Sequence, residues 1–122
     1  MNGERILVDT NILIRMFSGE DSVVEFLSGT DIHVSFITEI ELLATSRITD
    51  AQAKKIRAFL DQCLIIGAEQ EIRQYTIEMR KQTRLKLPDC MIAATAAYLK
   101  LPLVTGDKHF AKLEDEIALF RL

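Results

Sequence analysis

The sequence lacks any run of roughly 18 consecutive apolar residues, and no basic segment leads into a hydrophobic one near its start, so neither a membrane span nor a secretory signal is expected. The expected location is the cytoplasm. It has only two cysteines, Cys63 and Cys90, far apart and without metal-site spacing; both read as reduced and mostly buried thiols. It has no excess of positive charge. With Lys+Arg 15 against Asp+Glu 18 the net charge is -3, so any contact with nucleic acid has to come from a local patch. Internal repeats, low-complexity tracts and linkers are absent, and 122 residues leave no room for a second domain. What is present is an apolar fraction of 48%, enough for one core.

The apolar residues fall into short strand-like runs separated by helical patterns. Ile6-Leu7-Val8 reads as a buried strand, followed by a helix from Asn11 to Phe17 that Ser18-Gly19 ends. Ser22 and Glu25 suggest a capping box for a helix to Leu27. Ile32 to Phe36 alternates as a second strand, and Thr38 starts a helix with Glu41 in its first turn. Ile56, Phe59, Leu60 and Cys63 mark an amphipathic helix from Asp50 to Cys63, and Leu64-Ile65-Ile66 is a third strand. A polar helix from Glu69 to Leu85 carries Arg73, Arg80 and Arg84 on one face. Pro88 suits the first position of an Ala-rich helix to about Lys100, which is apolar nearly all round and so expected to be the most buried. Leu103 to Thr105 and Ile117 to Phe120 complete the strands. The alternation implies an α/β/α sandwich with a twisted, mostly parallel sheet of four to five strands and Rossmann-like topology.

That topology gives meaning to four acids. Asp9 follows the first strand, Glu41 lies in the helix after the second, and Asp107 follows the fourth. In an open α/β sheet, residues just beyond the carboxyl ends of the strands meet in one crevice. Asp89 opens the helix that feeds the fourth strand, and such a helix begins near the same edge. Each acid also has a purely structural reading: Asp9 and Asp107 as helix N-caps, Glu41 as a capping-box partner of Thr38, Asp89 as a complement to its helix dipole. Together they repel, by roughly 4 kcal/mol for a pair about 4 Å apart at an effective dielectric of 20. A cation resolves that repulsion. Oxygen-only ligands, with no His or Cys among them, point to Mg2+ or Mn2+ and to metal-assisted attack of water on a phosphodiester.

Four segments in order resemble the PIN domain family of nucleases, and within it the small VapC-type toxins of prokaryotic toxin–antitoxin pairs. They are Ile6-Leu7-Val8-Asp9-Thr10-Asn11, Ser35-Phe36-Ile37-Thr38-Glu39-Ile40-Glu41-Leu42-Leu43, Leu85-Lys86-Leu87-Pro88-Asp89-Cys90-Met91-Ile92-Ala93-Ala94-Thr95-Ala96 and Leu103-Val104-Thr105-Gly106-Asp107-Lys108-His109-Phe110. The resemblance covers nearly the whole chain and implies one PIN-like domain over residues 1–122. It places the family's catalytic and metal-binding acids on Asp9, Glu41, Asp89 and Asp107. It further implies a hydroxyl at Thr105, a supporting role for Asn11 beside the first acid, an RNA substrate, a cognate antitoxin and a homodimer. The antitoxin's C-terminal segment would wrap the chain and block the acidic crevice. Cys90 and Gly106 depart from the family's pattern without touching a carboxylate.

RNA requires local positive charge, and Arg80, Lys81, Arg84 and Lys86 lead up to Asp89 as a candidate phosphate-binding strip. A solvated helix face is the alternative. Arg15 is placed either at the crevice mouth or in an ion pair, His109 in a surface loop and His33 on a strand. Of Glu39 and Glu41, two positions apart on a helix, only one can face the crevice. Ile12, Leu13, Met16, Phe17, Val23, Val24, Phe26 and Leu27 exceed what two short helices are expected to bury, suggesting a partner surface. The rival readings are a metal-free interaction scaffold of the same fold and a haloacid-dehalogenase-type phosphotransferase; the latter needs an Asp where this chain has Asn11.

Overall fold

Ile6, Leu7 and Val8 are fully buried, and their side chains divide between the two faces of a sheet, as a strand's period of two requires. In the computed structural model, which describes residues 3–122, this strand is β1 (Arg5–Val8). It pairs in parallel with β2 (Asp31–Ser35) on one side and β4 (Leu103–Thr105) on the other. β3 (Leu64–Ile66) and β5 (Leu119–Arg121) flank them, giving a five-stranded sheet of order β3-β2-β1-β4-β5 with every pairing parallel. The mostly parallel sheet expected from the sequence is thus parallel throughout.

Two apolar clusters cover the two faces. Leu7 and Leu103 face a core built with α5 (Gln70–Gln82) and α6 (Leu87–Leu99), including Ile72, Met79, Ile92 and Ala93. Ile6, Val8, Val34 and Val104 face a second core with α1 (Thr10–Phe17), α2 (Asp21–Leu27) and α4 (Asp50–Leu60). α3 (Phe36–Leu43) sends Leu42 to this core and packs Ile37 against the first. As expected, α6 is the most deeply buried helix, with Cys90, Ile92, Ala93, Ala94, Thr95 and Ala96 all buried.

Several boundaries differ from the sequence reading, each for a local reason. β2 stops at Ser35, whose hydroxyl accepts from the Ile37 N–H and caps α3, so the helix begins at Phe36 rather than Thr38. The Ser22/Glu25 capping box does not form, since α2 begins at Asp21 behind an uncapped Glu20. The reciprocal box is instead Thr49 with Gln52, opening α4. α5 ends at Gln82, leaving Arg84 off the helix. Pro88 is second rather than first in α6. Ile117 is buried ahead of β5, and Lys108–Leu113 forms an unanticipated 3-10 helix that buries Phe110 and Leu113. The apolar excess of α1 and α2 is also accommodated: Ile12, Leu13, Val23 and Leu27 are in the core and Met16, Phe17 and Phe26 pack against it, leaving Val24 exposed. Both cysteines are free, Cys90 buried and Cys63 half-buried, and burial pushes the Cys63 thiol up to about 11.

Candidate metal centre

The strand order reverses direction about β1, so the carboxyl ends of β1 and β4 border the crevice where such sheets place their ligands. Asp9 stands at that point. Its backbone N–H donates to the Val104 carbonyl at 2.9 Å, tying the end of β1 to β4. It is indeed the N-cap of α1, but its carboxylate serves two masters: Oδ1 accepts from the Thr10 N–H at 2.8 Å, and Oδ2 accepts from the Thr105 hydroxyl at 2.8 Å. The cap and site readings are compatible. Asp9 is only 5% exposed, and burial raises its pKa to about 6, opposed by the Thr105 and Thr10 hydrogen bonds and reinforced by the charges of Asp89 and Glu41.

Thr105 links Asp9 to the next acid. Its oxygen also accepts from the Asp107 N–H at 3.0 Å, so one buried hydroxyl fixes both the first carboxylate and the turn carrying the last. Asp107 caps the 3-10 helix through the His109 N–H and also meets His109 Nδ1, both at 2.8 Å. His109, expected in a surface loop, is exposed but meets the Asp107 carboxylate at the site's rim, as its position two residues beyond Asp107 allows.

Glu41 and Asp89 come from helices. Glu39 turns away to an ion pair with Arg57 at 2.7 Å, while Glu41 Oε1 accepts from the Thr10 hydroxyl at 2.7 Å. Thr10, read from sequence as completing a turn, thus touches two of the acids. Asp89 lies in the first turn of α6 and its pKa is raised, by burial first and then by the charges of Asp107 and Glu41, against Lys86 and His109. These mutual influences bring Asp9, Glu41, Asp89 and Asp107 into one electrostatic neighbourhood. Asn11 is not joined to Asp9: it is exposed and makes no side-chain hydrogen bond among the described residues, and the orienting role expected of it is filled by Thr105 and the Thr10 N–H.

Among the described residues no Lys or Arg forms an ion pair with any of the four acids. No group of three or more His, Cys, Asp or Glu side chains there is arranged to hold a metal ion as it stands. An all-carboxylate donor set without a Lys or Arg ion pair has the donor chemistry that a hard cation retaining several of its waters prefers. The anticipated basic strip is divided, two residues having partners elsewhere and two lying open. The Arg80 guanidinium donates to the Leu85 carbonyl at 2.6 Å, Lys81 lies 3.7 Å from Glu78, and Arg84 and Lys86 are exposed. Lys86 is felt at Asp89. Arg15 pairs with Glu20 at 2.6 Å and donates to the Leu122 carbonyl at 2.9 Å; a Cβ on Gly106 would stand 2.8 Å from its Nη1. Beside Glu41 lies an open groove of about 490 Å³, walled by Ile14, Phe17, Leu42, Ile48 and Ile56 with Arg47 and Lys55 among its lining.

A PIN domain profile matches residues 6–116. A solved toxin–antitoxin complex from Klebsiella pneumoniae contains a chain 35% identical, with 87% of this chain and 90% of that one covered and a TM-score of 0.79. VapBC2 from Rickettsia felis bound to a promoter DNA fragment matches at 22% identity over 96% and 98% of the two chains, with a TM-score of 0.84. VapBC-5 from Mycobacterium tuberculosis matches at 22% over 97% and 98%, with a TM-score of 0.75. These last two bear on the fold alone. No curated protein matches the sequence. No helix among the described residues is long and apolar enough to cross a membrane. With the profile spanning nearly the whole chain and four acids gathered at the switch point of its sheet, the chain belongs to the PIN domain family.

Proposed function

We propose that this chain is a metal-dependent endoribonuclease of the VapC type, the toxin of a toxin–antitoxin pair. The observation that carries the reading is that Thr10 joins Asp9 to Glu41 and Thr105 joins Asp9 to the Asp107 turn at one sheet edge, without a Lys or Arg partner to any of these acids among the described residues. Asp9, Glu41, Asp89 and Asp107 would hold Mg2+ or Mn2+, largely through its waters. The ion, when bound, supplies a water of lowered pKa and stabilises charge on the phosphate oxygens. Thr105 keeps Asp9 ionised and aimed by donating to it, and holds Asp107 in place through the same oxygen. Thr10 holds Asp9 and Glu41 side by side. Burial of Asp9 excludes water from one side of the carboxylate, which strengthens its attraction for a cation.

RNA is the substrate in this reading, with its phosphates met by Lys86 and Arg84 on one side of the acids. The partner is an antitoxin, whose segment we place in the apolar groove beside Glu41, where it would block the crevice. Homodimerisation and action in the cytoplasm belong to the same reading. Support comes from the Klebsiella complex, itself described as toxin with antitoxin.

The test is cleavage of tRNA, rRNA and mRNA pools with Mg2+ or Mn2+ by wild type and by Asp9→Asn. Cleavage by wild type, reduced at least about a hundredfold in the variant, is expected from loss of the central carboxylate of the cation site. Activity that survives the change, or is absent from wild type with either metal, contradicts the proposal.

A further inference from the structure

Two buried hydroxyls, those of Thr10 and Thr38, lie in the motif segments around Asp9 and Glu41. Thr38 is fully buried on α3 and Thr10 is 8% exposed at the start of α1. Their oxygens are 3.0 Å apart, and Thr10 Oγ1 is 2.7 Å from Glu41 Oε1. Each hydroxyl has one proton. An ionised Glu41 can only accept, so Thr10 spends its proton on Glu41 and Thr38 donates to Thr10. The chain therefore runs in one direction, Thr38 to Thr10 to Glu41. Thr10 also donates its backbone N–H to Asp9 Oδ1 at 2.8 Å.

We infer that Thr38 and Thr10 are positioning residues that hold Glu41 against Asp9, with Thr38 acting entirely through the Thr10 hydroxyl. This rests on the metal-site reading above. Glu41 is an exposed residue on a flexible stem, and without a fixed donor its carboxylate would spread over many rotamers at the surface. Thr10 is rigid at χ1, being β-branched, and is fixed by its place directly after Asp9. Thr38 satisfies the lone pair that Thr10 would otherwise leave buried and keeps the Thr10 proton aimed outward at Glu41. Glu41 Oε2 makes no hydrogen bond among the described residues, so it remains free to meet a cation or its water shell.

The test uses Thr38→Val and Thr10→Val, which keep the branched shape, with Thr38→Ser as the conservative control. Mn2+ affinity is measured by calorimetry, and RNA cleavage is resolved into kcat and KM. Loss of groups that orient metal ligands typically weakens metal binding or activity by about 10- to 100-fold. Both Val variants are expected to weaken Mn2+ binding by about tenfold and to lower kcat with KM for RNA unchanged, while Thr38→Ser stays within about twofold of wild type. In a Glu41→Gln background, Thr38→Val is expected to cause no further loss. Wild-type Mn2+ affinity and kcat in Thr38→Val would overturn the inference. So would an equal further loss in the Glu41→Gln background, or failure of Thr38→Ser to restore binding in a protein that melts normally. Wild type that neither binds Mn2+ nor cleaves RNA would instead overturn the functional reading beneath it.

Discussion

The two banks of the crevice hold their acids by opposite means. On the sheet bank, Asp9 is buried, capped to α1 and clamped by Thr105. On the helical bank, Glu41 is exposed and held by a single hydroxyl, and Asp89 makes no side-chain hydrogen bond among the described residues. Burial lifts Asp9 to about 6, whereas Glu41 keeps its solvent on one side. One bank therefore supplies a buried anion at an electrostatic cost to the fold, and the other supplies less buried ones, Glu41 held through Thr10 and Asp89 without a hydrogen bond. A cation entering the crevice would relieve the first and draw in the second.

The largest disruption of the sheet bank is expected from the anchor of the Asp107 turn. Phe110 is 1% exposed beneath that turn, and Phe110→Ala is expected to cost about 3–5 kcal/mol in urea unfolding. A loss under about 1 kcal/mol would mean that the turn is not seated on the core.

The next effect has the opposite sign. A carboxyl whose folded pKa is raised from 3.8 to about 6 contributes stability below pH 3.8 that is lost as pH rises through 6. Two pK units correspond to about 3 kcal/mol, less what the charged form gains from hydrogen bonds that an amide replaces poorly. In EDTA at pH 8, Asp9→Asn is expected to stabilise the protein by about 1–3 kcal/mol, and the gain should vanish near pH 3.5. Destabilisation at pH 8 would show that the hydrogen bonds outweigh the buried charge.

Smaller still is Thr105→Val, expected to cost about 1–2 kcal/mol by removing an acceptor from the Asp107 N–H and a donor from Asp9. Because the Thr105 hydrogen bond lowers the Asp9 pKa, the variant should shift the Asp9 titration upward when followed by NMR. The smallest effect belongs outside the crevice. The Glu39–Arg57 pair is half-exposed, and Glu39→Gln is expected to change stability by less than about 1 kcal/mol and to leave cleavage intact. A large loss of cleavage would exchange the roles of Glu39 and Glu41.

The sheet and the order of its elements were readable because parallel strands buried on both faces leave unbroken apolar runs, as in Ile6-Leu7-Val8 and Leu103-Val104. Asp9, Asp89 and Asp107 stand out as candidates in the sequence because each caps or opens a helix, where topology converges, whereas Glu41 lies in the second turn of α3 and carries no such mark. What was not readable was contact between distant side chains. Thr10 and Thr38 are 28 residues apart, and either alone is an ordinary helix-start residue. Asn11 shows the reverse case: it adjoins Asp9 in sequence, but helical geometry turns it to solvent. The 3-10 helix after Asp107 has no signature in the sequence because six residues hold too few periods to mark one.

The coupling of the four acids is tested most directly by thermal melting of wild type and Asp9→Asn across a Mn2+ titration. Selective binding to the folded state at a hundredfold excess over Kd contributes about 2.7 kcal/mol. The expected result is a Tm that climbs with Mn2+ in wild type and stays flat in Asp9→Asn. A flat wild-type curve, or an undiminished rise in the variant, would contradict a cation site organised around Asp9.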